Sequence, residues 1–175
     1  MNNLDIGILE ADKFSHSVGE LSEILHTCVH AGASINFILP ITSFESEQFW
    51  NTLILPGVLK STRMVWGTRL ENRVVGSVQL DCDTPPNQTH KAKVAEMMVH
   101  TDFRRQGIAR CLMIKLETRA RALAKTLITL DTKNSNNAEP LYAEMGYVTA
   151  GTIPRYCRDP FIEQLHATAI MHKAL

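Results

Sequence analysis

Leu4, Ile6 and Ile8 alternate with polar or small residues, and this period of two predicts a short first strand over "LDIGILE". From about Asp12 the period lengthens. Phe14, Val18, Leu21, Leu25 and Cys28 recur at spacings of three and four, the apolar stripe of a helix. "HAGASINF" interrupts that stripe with small residues, and Pro40 closes the loop. "ITSFESEQFWNTL" predicts a second helix, because Thr42 and Glu45 have the spacing that satisfies free backbone donors reciprocally at a helix start. Pro56-Gly57 stands near its end.

The period then returns to that of strands. "STRMVWGTRL" and "RVVGSVQLDC" are β-rich runs joined by Glu71-Asn72, a hairpin turn. "DTPPNQTHK" is a polar loop whose paired prolines do not suit a central strand. "KVAEMMVH" is the next strand, followed by a helix from about Gly107 to Ala124 and a buried strand, "TLITLD". Asn136 or Asn137 caps a short helix whose first turn tolerates Pro140, and Gly146 supplies its left-handed stop. "YVTAGTIPRY" and "ATAIMHKAL" predict two final strands. Without repeats, low-complexity tracts or linkers, the expectation is one α/β (α+β) domain over residues 1–175.

Charge narrows the function classes. Eighteen basic residues balance eighteen acidic ones, which argues against a general nucleic-acid binder. The start of the chain lacks a basic segment followed by an apolar run, and no stretch approaches the ~18 apolar residues of a membrane helix, so a cytoplasmic protein without membrane partners is expected. Cys28, Cys82, Cys111 and Cys157 form no C-x-x-C pair, so neither a metal nor a disulfide is expected.

Against this neutral background, "FRRQGIARCLM" is anomalous. Seven of the eighteen basic residues lie between Arg104 and Lys125, opposed only by Glu117. A helix start leaves about four amide hydrogens unpaired and carries partial positive charge, so a phosphate placed there is held by amides and field together. Gly107 and Ala109 allow a diphosphate to approach the main chain, and Arg104, Arg105 and Arg110 add attraction. The G-x-x-x-x-G-K-[ST] and G-x-G-x-x-G nucleotide motifs are absent.

The strand–turn–helix "MMVHTDFRRQGIARCLM" resembles motif A of the GNAT superfamily of acyl-CoA N-acyltransferases, R/Q-x-x-G-x-G/A, with Arg104, Gly107 and Ala109 on its defining positions. "NNAEPLYAEMGY" is similar to the family's motif B, with Ala138, Leu141, Tyr142, Gly146 and Tyr147 in register. "HAGAS", "LDT", "IPRYC" and "LHATAI" are similar to segments of the tabtoxin-resistance acetyltransferases within that superfamily. The resemblance implies the GNAT fold: one mixed, mostly antiparallel sheet of six to seven strands, splayed at the motif A strand and flanked by about four helices.

It also implies acetyl-CoA as cosubstrate, no metal, and a small-molecule amine as acceptor, a toxin or antibiotic among the candidates. Acetylation of a protein lysine or N-terminus, and a non-catalytic acyl-CoA-binding role, are the alternatives. Carried over residue by residue, the backbone of Met97, Met98 and Val99 pairs with the pantetheine arm. Amides of Arg105, Gln106, Gly107, Ile108, Ala109 and Arg110 hold the pyrophosphate. Tyr142 is the general acid for the leaving thiolate. For the general base, Asp131 at the end of "LITLD" is the first choice, with Glu96, His30 or a water relay as alternatives. Where many relatives carry an asparagine seven residues before the motif B tyrosine, this chain has Ser135, and Asn136 or Asn134 is expected to replace its contact. Oligomeric state is not legible, although the terminal strands offer edges through which a homodimer could pair.

Overall fold

The computed structural model describes residues 4–134 and 138–175. Seven strands form one sheet: β1 (Asp5–Ile8), β2 (Arg63–Leu70), β3 (Arg73–Asp81), β4 (Lys91–Val99), β5 (Leu127–Lys133), β6 (Val148–Arg158) and β7 (Leu165–Ala174). Their spatial order is β1-β2-β3-β4-β5-β7-β6. All neighbours are antiparallel except β4 and β5, which run parallel. The expected GNAT architecture is therefore the one observed.

Helices cover both faces. On one side lies α1 (Ala11–His30), whose buried positions Phe14, Val18, Leu21, Leu25 and Cys28 are the stripe seen in the sequence. Beside it runs a helical rod over 43–59, made of α2 (Ser43–Gln48), a π-helical segment (Phe49–Ile54) and α3 (Leu55–Leu59). The predicted Thr42–Glu45 capping box forms, with both reciprocal bonds present. The wider π turn is the one feature of this rod that the apolar pattern did not signal. It contributes Phe49, Trp50 and Ile54 to the buried set. Trp50 meets Phe14 and Phe49 edge-on, with centroids 6.1 and 5.2 Å apart.

The opposite face carries α4 (Ile108–Ala122) and the short α5 (Ala138–Glu144). Ile108, Leu112, Met113 and Leu116 pack there with Val75, Val78, Ile128 and Leu130 from the sheet. β3 is buried along nearly its whole length because it is covered on both faces, which its near-continuous apolar run anticipates. Gly76 on β3 permits this packing. A Cβ there would stand 2.8 Å from Ile108 Cγ2. The β2–β3 connection turns through Glu71 and Asn72, both at positive φ as a tight hairpin requires.

A buried ion pair joins the last strand to α4: Lys173 Nζ donates to Glu117 Oε2 at 2.7 Å and to the Met145 carbonyl at 2.6 Å. Both side chains are mostly shielded from water, and Arg121 of the same helix stands 3.6 Å from the same Glu117 oxygen. Among the described residues, no helix is long and apolar enough to cross a membrane.

Candidate active site

The parallel joint between β4 and β5 is only three pairs long, from Lys91↔Leu127 to Lys93↔Thr129. Beyond Lys93 the two strands diverge. The cause lies on the other edge of β4. Ser77 faces Met98 and Gln79 faces Ala95, so Val78 stands against two residues, Glu96 and Met97. This is a β-bulge, with Glu96 in the left-handed region at φ 46°. A bulge adds local twist and bends its strand, and here it leaves the β5-facing edge of β4 without a strand partner.

A cavity of about 830 Å³ fills the gap. Its walls include β4 from Lys93 to Val99, the end of β5, the start of α4, and Leu141 and Tyr142 of α5. A second cavity of about 230 Å³ adjoins it, and Ser34, Asn36, Asp131, Thr132 and Lys133 line both. The segment 34–39 is tied to the far side of the sheet: Ser34 Oγ donates to Cys157 Sγ of β6 at 3.4 Å, both residues lining the smaller space, and the Leu39 amide donates to the Pro160 carbonyl at 2.9 Å.

The α4 start meets the requirements for an anion. Gly107 is its N-cap at φ 80°, no side chain caps the first turn, and no acidic residue lies in it. The amides of Ile108, Ala109 and Arg110 are therefore free of intrahelical partners. Nothing lies within 4 Å of where a Gly107 Cβ would be, so the approach to the main chain is open. An open strand edge leading to this helix start fits a ligand with a peptide-like arm and a diphosphate, as coenzyme A has.

Glu96 is half-buried in the cavity wall, and Asn36 Nδ2 donates to its Oε1 at 2.7 Å. Burial, reinforced by Asp131 and opposed by Arg63, Lys93 and Asn36, lifts its carboxyl to about 7. Asp131 is paired with Lys93 at 2.5 Å. Tyr142 is 6% exposed and packs edge-on against Tyr147, with centroids 5.8 Å apart. Burial, with a smaller push from Asp131, raises its phenol, so it remains a proton donor throughout the neutral range.

Of the residues singled out in the sequence, Met97, Met98, Val99, Arg104, Arg105, Gly107, Ile108, Ala109, Arg110, Asp131 and Tyr142 all line the large cavity, together with Glu96 and Asn134. Gln106 does not line it, and Asn136 lies outside the described residues. His30 is not brought in. It is exposed on the outer side of α1, where its Nδ1 is 2.8 Å from the His26 carbonyl and its ring lies against His26. Two arginines are engaged: Arg104 donates to the Val99 carbonyl at 3.3 Å, and Arg110 pairs with Glu144 of α5. Asn36 and Cys28 of the cavity wall went unmarked in the sequence as site residues. Asn36 was hidden in a run of small residues, and its partner is sixty positions away. Among the described residues, no cluster of three or more His, Cys, Asp or Glu side chains could hold a metal.

A model of the Acetyltransferase (GNAT) domain matches residues 41–158. An uncharacterized N-acetyltransferase from the hisH-hisA intergenic region of Azospirillum brasilense is 27% identical over 124 residues, covering 69% of this chain and 71% of that protein. The N-acetyltransferase from Staphylococcus aureus Mu50 superposes with a TM-score of 0.79 at 17% identity, covering 98% of each chain. The yncA protein of Salmonella typhimurium, whose structure contains its cofactor acetyl-CoA, superposes with a TM-score of 0.78 at 15% identity, covering 99% of this chain and 94% of that one. With the matched domain spanning both the splayed strand and the α4 start, the chain belongs to the GNAT acetyltransferase family.

Proposed function

We propose that this acetyltransferase moves the acetyl group of acetyl-CoA to the amino group of a small molecule by direct attack, with Glu96 as general base and Tyr142 as general acid. The observation that carries the reading is the joined pair of cavities. The large one offers the strand edge and helix start that suit coenzyme A, and the small one, bounded by the segment 34–38 and the end of β6, suits a compact acceptor.

Acetyl-CoA supplies the activated thioester. The backbone of Met97, Met98 and Val99 aligns its pantetheine arm, and the amides from Arg105 to Arg110 receive its pyrophosphate. An amine with a pKa near 10.4 is mostly protonated at neutral pH and must lose a proton to become a nucleophile. Glu96, poised at about 7, is matched to that task, because a base works best with a pKa near the working pH. Asp131, the first choice from sequence, is engaged with Lys93 and fits an electrostatic role beside the acceptor better than that of the base. As the amine nitrogen bonds to the acyl carbon, its proton passes to Glu96. When the carbon–sulfur bond breaks, Tyr142 donates its proton to the departing sulfur. The products are an N-acetylated amine and free coenzyme A.

The test is thiol release from acetyl-CoA with a panel of amines that includes amino acids, amine antibiotics, amino-acid toxins and short peptides. Release with a small amine and not with peptides is expected. Release with peptides alone would shift the assignment to a protein acetyltransferase. No release with any amine, despite measured acetyl-CoA binding, would leave a non-catalytic acyl-CoA-binding protein.

A further inference from the structure

Eight non-glycine residues among those described adopt positive φ, and most lie where a turn or a helix end demands it. Ser61 and Ala124 follow helices, Glu71 and Asn72 make the hairpin, and Arg155 sits in the irregular stretch of β6. Asn36 at 58° and Glu96 at 46° lie on separate segments, and their side chains bond to each other across the cavity. Backbone conformations of this kind are strained for residues other than glycine, and they persist where the surroundings over-determine them.

The Asn36 loop is held firmly. Ser34 bonds to Cys157 of β6, and Leu39 bonds to Pro160 beyond it. The amide is therefore delivered to Glu96 by an anchored segment. We propose that Asn36 is the positioning residue for this carboxylate, aiming it at the acceptor amine. The proposal rests on the reading of Glu96 as the general base.

The other groups around Glu96 support that role. Arg63 reaches toward it from β2 but is committed to Gln79 and Asp81. Lys93 of β4 is committed to Asp131 of β5, whose own charge works against ionisation of Glu96. Asn36 is thus the uncharged donor in direct contact with the carboxylate. A hydrogen bond donated to a carboxylate favours the ionised form, so Asn36 opposes the effect of burial. It also fixes the carboxyl plane by occupying Oε1, which leaves Oε2 to accept a proton. Because Asn36 lines both cavities, it stands where an amine would pass from the smaller space to the acetyl group.

The test is a carbon-13 carboxyl titration of Glu96 in the full chain and in two variants, Asn36→Gly and Asn36→Asp. Glycine and aspartate both tolerate left-handed backbone, so neither imposes a new strain. The unaltered chain should titrate near 7. Asn36→Gly should raise the midpoint by about one pH unit, a tenfold gain in proton affinity, and Asn36→Asp should raise it further through like charge. A midpoint near the ordinary glutamate value of about 4.3 in the unaltered chain would remove Glu96 as the base. A midpoint near 7 that both folded variants leave unchanged would overturn the role of Asn36 alone. If Asn36→Gly fails to fold, the Asn36→Asp midpoint decides.

Discussion

Strands β1 to β4 form an antiparallel flank covered by helices, whereas β5, β7 and β6 form a flank that ends in an almost wholly exposed strand. On the first, β3 is buried from Val74 to Leu80, and Trp50 and Phe14 are sealed beneath the helical rod. On the second, β6 exposes ten of its eleven residues, with only Cys157 half-buried. Each flank is internally well laddered, since β5 and β7 alone share seven paired positions. Between them the ladder has three. The difference teaches that the site is neither a loop nor a hole in a finished sheet. It is the place where the two flanks stop pairing, and each supplies part of the cavity wall: Glu96 from one, Asp131 and Tyr142 from the other.

That division can be attacked from either side. Trp50→Ala, at the centre of the covered flank, should cost about 3–5 kcal/mol in denaturant unfolding, as for other buried aromatics. Val148→Ala on β6 should stay within about 0.5 kcal/mol. Comparable losses at both positions would erase the contrast. Within the cleft, Glu96→Gln should lower turnover at pH 7 by roughly 10³-fold while calorimetry finds acetyl-CoA affinity unchanged. Tyr142→Phe should cost about 10²-fold in turnover by the same two measurements, as the proposed proton transfer to the leaving sulfur requires.

Acidity sharpens the same point. A general base must be ionised to act, so under the role proposed for Glu96 kcat/KM should climb through an acid limb centred near pH 7 and level above it before the acceptor's own titration intervenes. A limb near pH 4 would mean that the covered flank does not desolvate this carboxyl. A smaller effect than those of the two cleft substitutions should come from Gly107→Ala. Its left-handed φ of 80° makes a side chain cost about 1–2 kcal/mol of stability, read in denaturant unfolding.

How much of this was legible in the sequence follows from the range of each interaction. The Thr42–Glu45 box, the Glu71-Asn72 turn and the apolar stripe of α1 are local, and each could be read from residues a few positions apart. The α4 start was legible because helix, glycine and arginines are contiguous. Tyr142 was marked by its motif, although the weakened acidity of its phenol depends on burial that no pattern displays. The Glu96 bulge was illegible, since "KVAEMMV" reads as an ordinary strand and the extra residue shows only against β3. Asn36 was hidden for a related reason, because its value lies in a partner brought near by the whole sheet. His30 shows the converse error. It is adjacent in sequence to the cavity loop, yet the helix phase turns it outward.

The short joint between β4 and β5 also bears on how much acetyl-CoA could steady the fold. A ligand that lies along the unpaired edge of β4 occupies the position of a missing strand, and it does so only in the folded chain. Mass action then adds RT ln(1 + [L]/Kd) to stability, about 2.7 kcal/mol at a hundredfold excess over Kd. The melting temperature should accordingly follow coenzyme concentration, making the protein's persistence a readout of the acyl-donor supply.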